Sequence, residues 1–230
     1  GDGTFGQAVS LGPIPGEVNA ILTADLNADS FLDVLVVSSN GLNVMLATGP
    51  STYDPAASYP FSGSLDLAIG DLDADGDQDA LVAGTGGIRI FLNLGDGSFP
   101  FSGSVQLPNP MSQAHKAILI DFTEDLLLDI VAVAPAGASV GQLAVFPGVG
   151  DGTFMPGVFY STTANPERVR AVDLNADGAL EILVSGASIQ VFTGNSSTSF
   201  TPAWTGGFGN SRITIGDYNG DTIPDLCALK

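Results

Sequence analysis

The sequence predicts an all-β fold: a β-propeller of about five four-stranded blades, the last lacking one strand. Three observations predict it. A nine-residue acidic segment recurs five times, as DLNADSFLD from Asp25, DLDADGDQD from Asp71, DFTEDLLLD from Asp121, DLNADGALE from Asp173 and DYNGDTIPD from Asp217. Their first residues lie 46, 50, 52 and 44 positions apart. A second marker recurs out of phase, as GDGTF at 1–5, GDGSF at 95–99 and GDGTF at 150–154, with degenerate copies at 49–53 and 195–200. The stretches between the markers alternate apolar and polar residues with the period of β-strands. A repeat of ~40–50 residues holding four short strands selects the propeller among all-β folds.

Each unit reads in the same order. An alternating strand enters the acidic loop: AILTAD from Ala20, LDLAIGD from Leu65, KAILID from Lys116, RVRAVD from Arg168, RITIGD from Arg212. An apolar run leaves it: DVLVVS, DALVAG, DIVAVA, EILVSG, DLCALK. A third strand follows a glycine-containing turn, as LNVMLA, IRIFLN, QLAVFP and IQVFTG. The stretch after each marker supplies a fourth. One propeller domain is expected over 1–230, with units of approximately 1–48, 49–94, 95–149, 150–194 and 195–230. Twenty strands are needed and nineteen are found. TFGQAVSL from Thr4 reads as an outermost strand that could close the ring against unit five. Otherwise the chain is part of a longer propeller. An open blade edge invites pairing with another chain.

The acidic loops are the candidate metal sites. Counting each from 1 to 9, positions 1, 3, 5 and 9 carry oxygen side chains. These are Asp25, Asn27, Asp29 and Asp33; Asp71, Asp73, Asp75 and Asp79; Asp173, Asn175, Asp177 and Glu181; and Asp217, Asn219, Asp221 and Asp225. Hard oxygen ligands with several carboxylates suit Ca²⁺, position 7 adding a backbone carbonyl. No Cys or His set suits zinc. An EF-hand is excluded because position 12 is Val36, Val82, Val184 or Ala228, where a bidentate Glu would be needed. Four sites are expected. The third loop, with Asp121, Thr123, Asp125 and Asp129, has a weaker set: Thr stands at position 3 and Leu126 at position 6, where Gly76 and Gly178 suit a tight turn of positive φ. Sixteen of the 25 acids occupy ligand positions, so four or five Ca²⁺ would neutralise 8 to 10 of the 19 excess negative charges. The rival reading is a set of solvated acidic hairpin turns.

The pattern D-x-[DN]-x-D-G-x-x-D between two strands, followed by G-D-G-T-F, resembles the FG-GAP/VCBS repeat family, whose calcium-loop blades also form integrin α-subunit heads. FGNSRITIGDYNGDTIPD from Phe208 carries the FG and GD elements together, and VAVAPAG from Val131 resembles the GAP segment. The resemblance covers essentially the whole chain. It implies blades whose innermost strand leads into the calcium loop, an extracellular or periplasmic setting, and binding or scaffolding rather than catalysis. The glycine missing from loops one, three and five departs from the pattern.

Composition narrows the partners. Six Lys and Arg against 25 Asp and Glu leave a net charge of −19, which disfavours nucleic acid and anionic membrane surfaces. At 44% hydrophobic residues the chain is not disordered, and no apolar stretch is long enough to insert in a membrane. Cys227 stands alone, so no internal disulfide forms. His115 and Cys227 read as structural. Trp204 reads as packing between blades, with stacking on a sugar as its alternative. Tyr53, Phe99, Phe154 and Phe200 belong to the marker and are expected to pack. Arg89, Arg168, Arg170 and Arg212 are scattered among units and give no repeated clamp for an acidic sugar. The expected function is a non-catalytic, calcium-binding interaction, adhesion or scaffold module at the cell surface, with a protein or glycan ligand. The alternatives are a calcium-dependent carbohydrate-binding propeller and, third, a propeller hydrolase or lyase.

Overall fold

The computed structural model describes Thr4 and residues 7–105, 114–136, 140–194, 200–206 and 212–229. The described residues are all-β. Four successive sheets have four antiparallel strands each, and a two-stranded sheet follows. The first sheet contains β1 (Val18–Ala24), β2 (Asp33–Ser38), β3 (Gly41–Met45) and β6 (Ala57–Pro60); a small hairpin of β4 (Ala47–Gly49) and β5 (Thr52–Tyr53) intervenes. The second runs β7 (Ser64–Gly70), β8 (Asp79–Gly84), β9 (Gly87–Phe91), β10 (Phe101–Val105). The third runs β11 (Lys116–Ile120), β12 (Asp129–Pro135), β13 (Val140–Phe146), β14 (Val158–Thr163). The fourth runs β15 (Arg168–Val172), β16 (Glu181–Ser185), β17 (Ile189–Gly194), β18 (Phe200–Gly206). The last pair is β19 (Arg212–Gly216) and β20 (Asp225–Leu229). These are propeller blades, and the first strands β1, β7, β11 and β15 adjoin one another in sequence order.

The apolar pattern dictates this stacking. Each second strand reads as an unbroken apolar run because both of its faces are covered. Strict alternation would leave one face wet; instead β2, β8 and β16 are buried at every residue. Leu35, Val37, Leu42 and Val44 of the first sheet pack on Leu67, Val82 and Phe91 of the second. Leu81, Ile88 and Ile90 meet Ile130, Ala132 and Ala144 across the next interface. Val131, Val133 and Leu143 meet Val169, Ile182 and Val184 across the third.

The marker fastens one blade to the next. In GDGSF, the amide of Ser98 and its hydroxyl both donate to Asp96 Oδ1, at 2.9 and 2.5 Å. Gly97 has φ +78°, and a Cβ there would lie 2.5 Å from Leu46 of the preceding sheet. Asn93 Nδ2 donates to Leu26 O at 2.7 Å, across 67 residues. Phe99 is fully buried, and its amide donates to Tyr59 Oη at 2.9 Å; the Phe200 amide donates to Tyr160 Oη at 3.1 Å. The marker aromatics thus pack as expected, with Phe154 and Tyr53 half-buried against their own clusters.

Two strand expectations change. Thr4 and Gln7–Leu11 form no strand. Leu11 and Ile14 instead pack over Val34, Val36 and Met45 on the free face of the first sheet, where apolar burial outweighs pairing at a distant edge. The strand after each of the four later markers pairs with the sheet before it, so β18 completes the fourth sheet. The last sheet accordingly has two strands among the described residues.

Candidate metal centre

All five loops share one backbone conformation. Position 4 has positive φ in each (Ala28, Ala74, Glu124, Ala176, Gly220), and so does position 6 (Ser30, Gly76, Leu126, Gly178, Thr222). The acids enforce this. In loops one, three, four and five the position 1 carboxylate accepts the amides of positions 5 and 6, as Asp25 does from Asp29 and Ser30 at 3.1 and 2.9 Å and Asp173 from Asp177 and Gly178 at 3.2 and 2.9 Å; in loop two Asp71 accepts only that of Gly76, at 3.1 Å. The position 5 carboxylate accepts the amide of position 7 in every loop, at 2.8–2.9 Å. Asn175 and Asn219 at position 3 each accept the amide of position 5 at 2.8 Å. Local side-chain-to-backbone bonds of this kind are what Asp and Asn offer a turn.

Position 2 anchors the loop. Leu26, Leu72 and Phe122 are buried in the interface with the following sheet. The third loop, despite Leu126 at position 6, keeps the shared conformation. Its Leu128 packs against Gly70 and Leu127 against Gly150, while Leu126 is 92% exposed. Leu128 thus faces the second sheet, and Leu127 packs on the marker of its own sheet.

Position 9 does more than the sequence reading assigns to it. Asp33 is fully buried and accepts the amides of Leu26 and Ala47, both at 2.7 Å. Asp79 accepts those of Leu72 and Asn93 at 2.7 and 2.8 Å. Asp129 accepts three, from Phe122 and Thr123 at 2.9 Å and Gly148 at 2.8 Å. Each carboxylate ties the start of its loop to the residue that leaves the third strand. The signal for this role was its place as the first residue of a strand buried on both faces.

The second loop brings acids together most closely. Ligand oxygens of Asp71, Asp73 and Asp79 all lie within 4.8 Å of one another. Asp71 Oδ1 and Asp73 Oδ1 are buried without any hydrogen-bond donor. Burial pushes the Asp79 carboxyl up to about 6, with the Asp73 and Asp75 charges adding to the rise against the amides of Asn93 and Leu72. Burial and then the Asp75 charge also raise Asp73. Buried oxygens that lack donors and sit among like charges are what a cation relieves. The donor set fits a hard, oxygen-seeking ion, with Asp71, Asp73 and Asp79 placed to hold it. In the third loop Thr123 Oγ1 is likewise buried without a partner. Burial raises Glu181 in the fourth loop. In the fifth, donation from the amides of Thr222 and Gly220 holds Asp217 below the usual carboxylate range.

The other candidates fall in different places. Trp204 is 48% exposed; with Ile189, Val191, Leu174, Leu226 and Ala228 it lines a cleft of about 520 Å³ beside the last sheet. Its expected packing between blades is thus incomplete. Arg89 lies over the rings of Phe61 and Phe101, at 5.2 and 5.6 Å. Arg168 and Arg170 are not scattered: with His115 and Lys116 they line one cleft. The sequence signal was a shared phase. Five residues before each loop stand Ala20, Asp66, Lys116, Arg168 and Arg212.

Successive antiparallel sheets, each with an acidic loop between its first two strands, define a repeat β-propeller. The chain belongs to the FG-GAP-like repeat family, which it matches over residues 25–82, 71–132 and 121–184. No curated protein matches it. Among solved structures it is similar to a β-propeller lectin of Agrocybe aegerita, described for specific recognition of non-reducing terminal N-acetylglucosamine. That likeness has 23% identity and a TM-score of 0.55, covering 82% of this chain and 51% of the lectin. A second similarity, to the Tc holotoxin pore of Photorhabdus luminescens, has 19% identity and a TM-score of 0.46, covering 94% of this chain and 11% of the toxin. The chain therefore spans about half the length of the lectin and about a tenth of the toxin chain.

Proposed function

We propose that residues 1–230 form a single, non-catalytic propeller domain that binds calcium in its acidic loops and serves as an extracellular or periplasmic interaction module. One observation carries the calcium reading: Asp71 Oδ1 and Asp73 Oδ1 are buried side by side without donors, next to Asp79. The non-catalytic reading is supported by how the chain distributes its acids, sixteen of 25 lying in the loops that shape and join blades. The partner is a protein or glycan at a cell surface. The outer edge of β20 has no partner strand among the described residues and offers a route to self-association.

The test is isothermal titration of the chelated protein with Ca²⁺, beside Asp73→Asn. The expected result is binding of about four ions, with one tight site lost in the variant. Calcium at about a hundred times its dissociation constant would add about 2.7 kcal/mol per site to folding stability. No heat of binding and an unchanged melt in EGTA would remove calcium from the reading.

A second reading, a calcium-dependent carbohydrate-binding propeller, is favoured by the half-exposed Trp204 in its apolar cleft, since aromatic faces stack on sugars. A glycan array in calcium, with EGTA and Trp204→Ala controls, distinguishes the two. Specific binding lost in both controls promotes the lectin reading.

A further inference from the structure

The chain has six basic residues, and their placement is uneven. Lys116, Arg168 and Arg170 line one cleft of about 780 Å³, formed by the first strands of the second to fourth sheets and by Ile215 of β19. The sole histidine, His115, lines it as well. Arg212 stands at the same repeat phase as Lys116 and Arg168, at the start of β19. Of the remaining two, Arg89 is held over aromatic rings elsewhere and Lys230 ends the chain. A protein of charge −19 has thus gathered half of its cations around one cavity.

Two acids also line the cleft. Asp66 accepts from Lys116 Nζ at 2.5 Å and from the Ala117 amide at 3.1 Å, so that pair is mutually satisfied. Glu167 stands 3.6 Å from Arg168, a loose pairing between neighbours in sequence. Arg170 is exposed, and its guanidinium makes no hydrogen bond or ion pair among the described residues. Leaving His115 out of the count, the cleft therefore carries three cations against two carboxylates, an excess of one positive charge. Arg168 and Arg170 are two apart on β15, so they project from the same side of the strand. The intervening Val169 is buried in the interface with the third sheet. The isoleucines Ile118, Ile120 and Ile215 give the cleft an aliphatic wall beside the charges.

From this we propose that the cleft is a binding site for a small organic acid: a carboxylate head held by Arg170 and Arg168 and an aliphatic body against the isoleucines. Guanidinium groups pair with carboxylates through two parallel hydrogen bonds, which a lysine cannot reproduce. The size is that of a small-ligand cleft with a few polar groups on an apolar wall. The overall charge selects for a ligand carrying one or two charges, because a polyanion would be repelled by the rest of the surface. The acidic loops reinforce this separation. Each lies at the far end of its inner strand, five residues or about 16 Å from the basic position. The site stands apart from the calcium reading, since none of its residues belongs to a loop.

The test is a titration of the full chain with hexanoate in calcium and at low ionic strength, followed by amide chemical shifts. Hexanol serves as the uncharged match. Hexanoate is expected to move the amides of Lys116 and Arg168–Ala171 and hexanol to leave them in place. Arg170→Gln is expected to weaken hexanoate about tenfold, the loss of one charge-assisted pairing. Arg170→Lys is expected to bind between the two, and Arg89→Gln as tightly as the parent. Because Arg170 is exposed, its variants are expected to melt with the parent, which separates lost binding from lost folding. Equal responses to hexanoate and hexanol, shifts confined to other strands, or parental affinity in Arg170→Gln would each overturn the proposal. A calcium titration of the same sample reports separately on the loops, so either reading can fail alone.

Discussion

Replacing Asp129 should destabilise the protein whether or not calcium is present. Its carboxylate is fully buried and accepts three amide hydrogen bonds, from Phe122, Thr123 and Gly148. Hydrogen bonds to a charged group contribute about 1.5–3 kcal/mol each, and a buried donor left alone costs about 1–3 kcal/mol. The three share one acceptor group and do not add in full. A loss of about 3–6 kcal/mol is expected for Asp129→Ala, a large part of the roughly 5–15 kcal/mol that holds a domain together. Asp129→Asn keeps one acceptor oxygen but turns an amide donor toward an N–H, so about half of that loss is expected. Urea denaturation in EGTA and in excess calcium measures both. The loss should be the same in the two buffers to within about 1 kcal/mol, because the amides persist when the ion is removed. A loss below about 1 kcal/mol in EGTA, growing only in calcium, would refute the structural role and return position 9 to ion binding alone.

Other outcomes follow from the same geometry. Leu126 holds φ +71° with its side chain 92% exposed, so Leu126→Gly relieves strain without losing contacts and should raise stability by up to about 1 kcal/mol, against no gain for Leu126→Ala; a clear loss in thermal melts of the glycine variant would contradict this. Tyr59→Phe and Tyr160→Phe each delete a hydroxyl that accepts a marker amide, and each should cost about 0.5–1.5 kcal/mol. The two act at separate interfaces, so the double variant should show their sum. In EGTA, the Asp79 carboxyl lies near 6 in the folded chain against 3.8 when free, so the folded state holds more protons between those values. Stability contributed by this group therefore falls as pH rises from about 4 to about 6, and saturating calcium should flatten that slope. Melting curves across this window in both buffers check the sign.

Much of the fold was legible because its determinants are local. Alternation set the inner strands, unbroken apolar runs set the doubly covered second strands, and Asp-rich turns set the loops. Loop three shows how far locality reaches: Leu126 argued against the shared turn, yet Asp121 and Asp125 impose it through the amides of Asp125, Leu126 and Leu127. What was not legible depends on partners distant in sequence. Asp33, Asp79 and Asp129 looked like ligands equal to their neighbours, because the amides of Ala47, Asn93 and Gly148 lie 14 to 19 residues on. TFGQAVSL alternates like a strand, but alternation cannot say which apolar face will receive it. The gathering of Lys116, Arg168 and Arg170 needed the repeat phase to be read across units, and only adjacent inner strands turn a shared phase into a shared cavity.

The order of the strands also governs how the molecule meets a pulling force. Each four-stranded sheet is one uninterrupted stretch of chain, the third running from Lys116 to Thr163. The seams between sheets rest on apolar packing and a few scattered bonds, among them Asn93–Leu26, Lys116–Asp66, the amides of Ala114 and Gly152 to the second unit, and the tyrosine hydroxyls. Tension applied at the two ends would therefore release blades one after another. Each would let go roughly 40–50 residues, or about 150 Å of slack at full extension, before the next took up the load. Such a chain yields in steps and leaves the blades still folded ready to recapture those already drawn out.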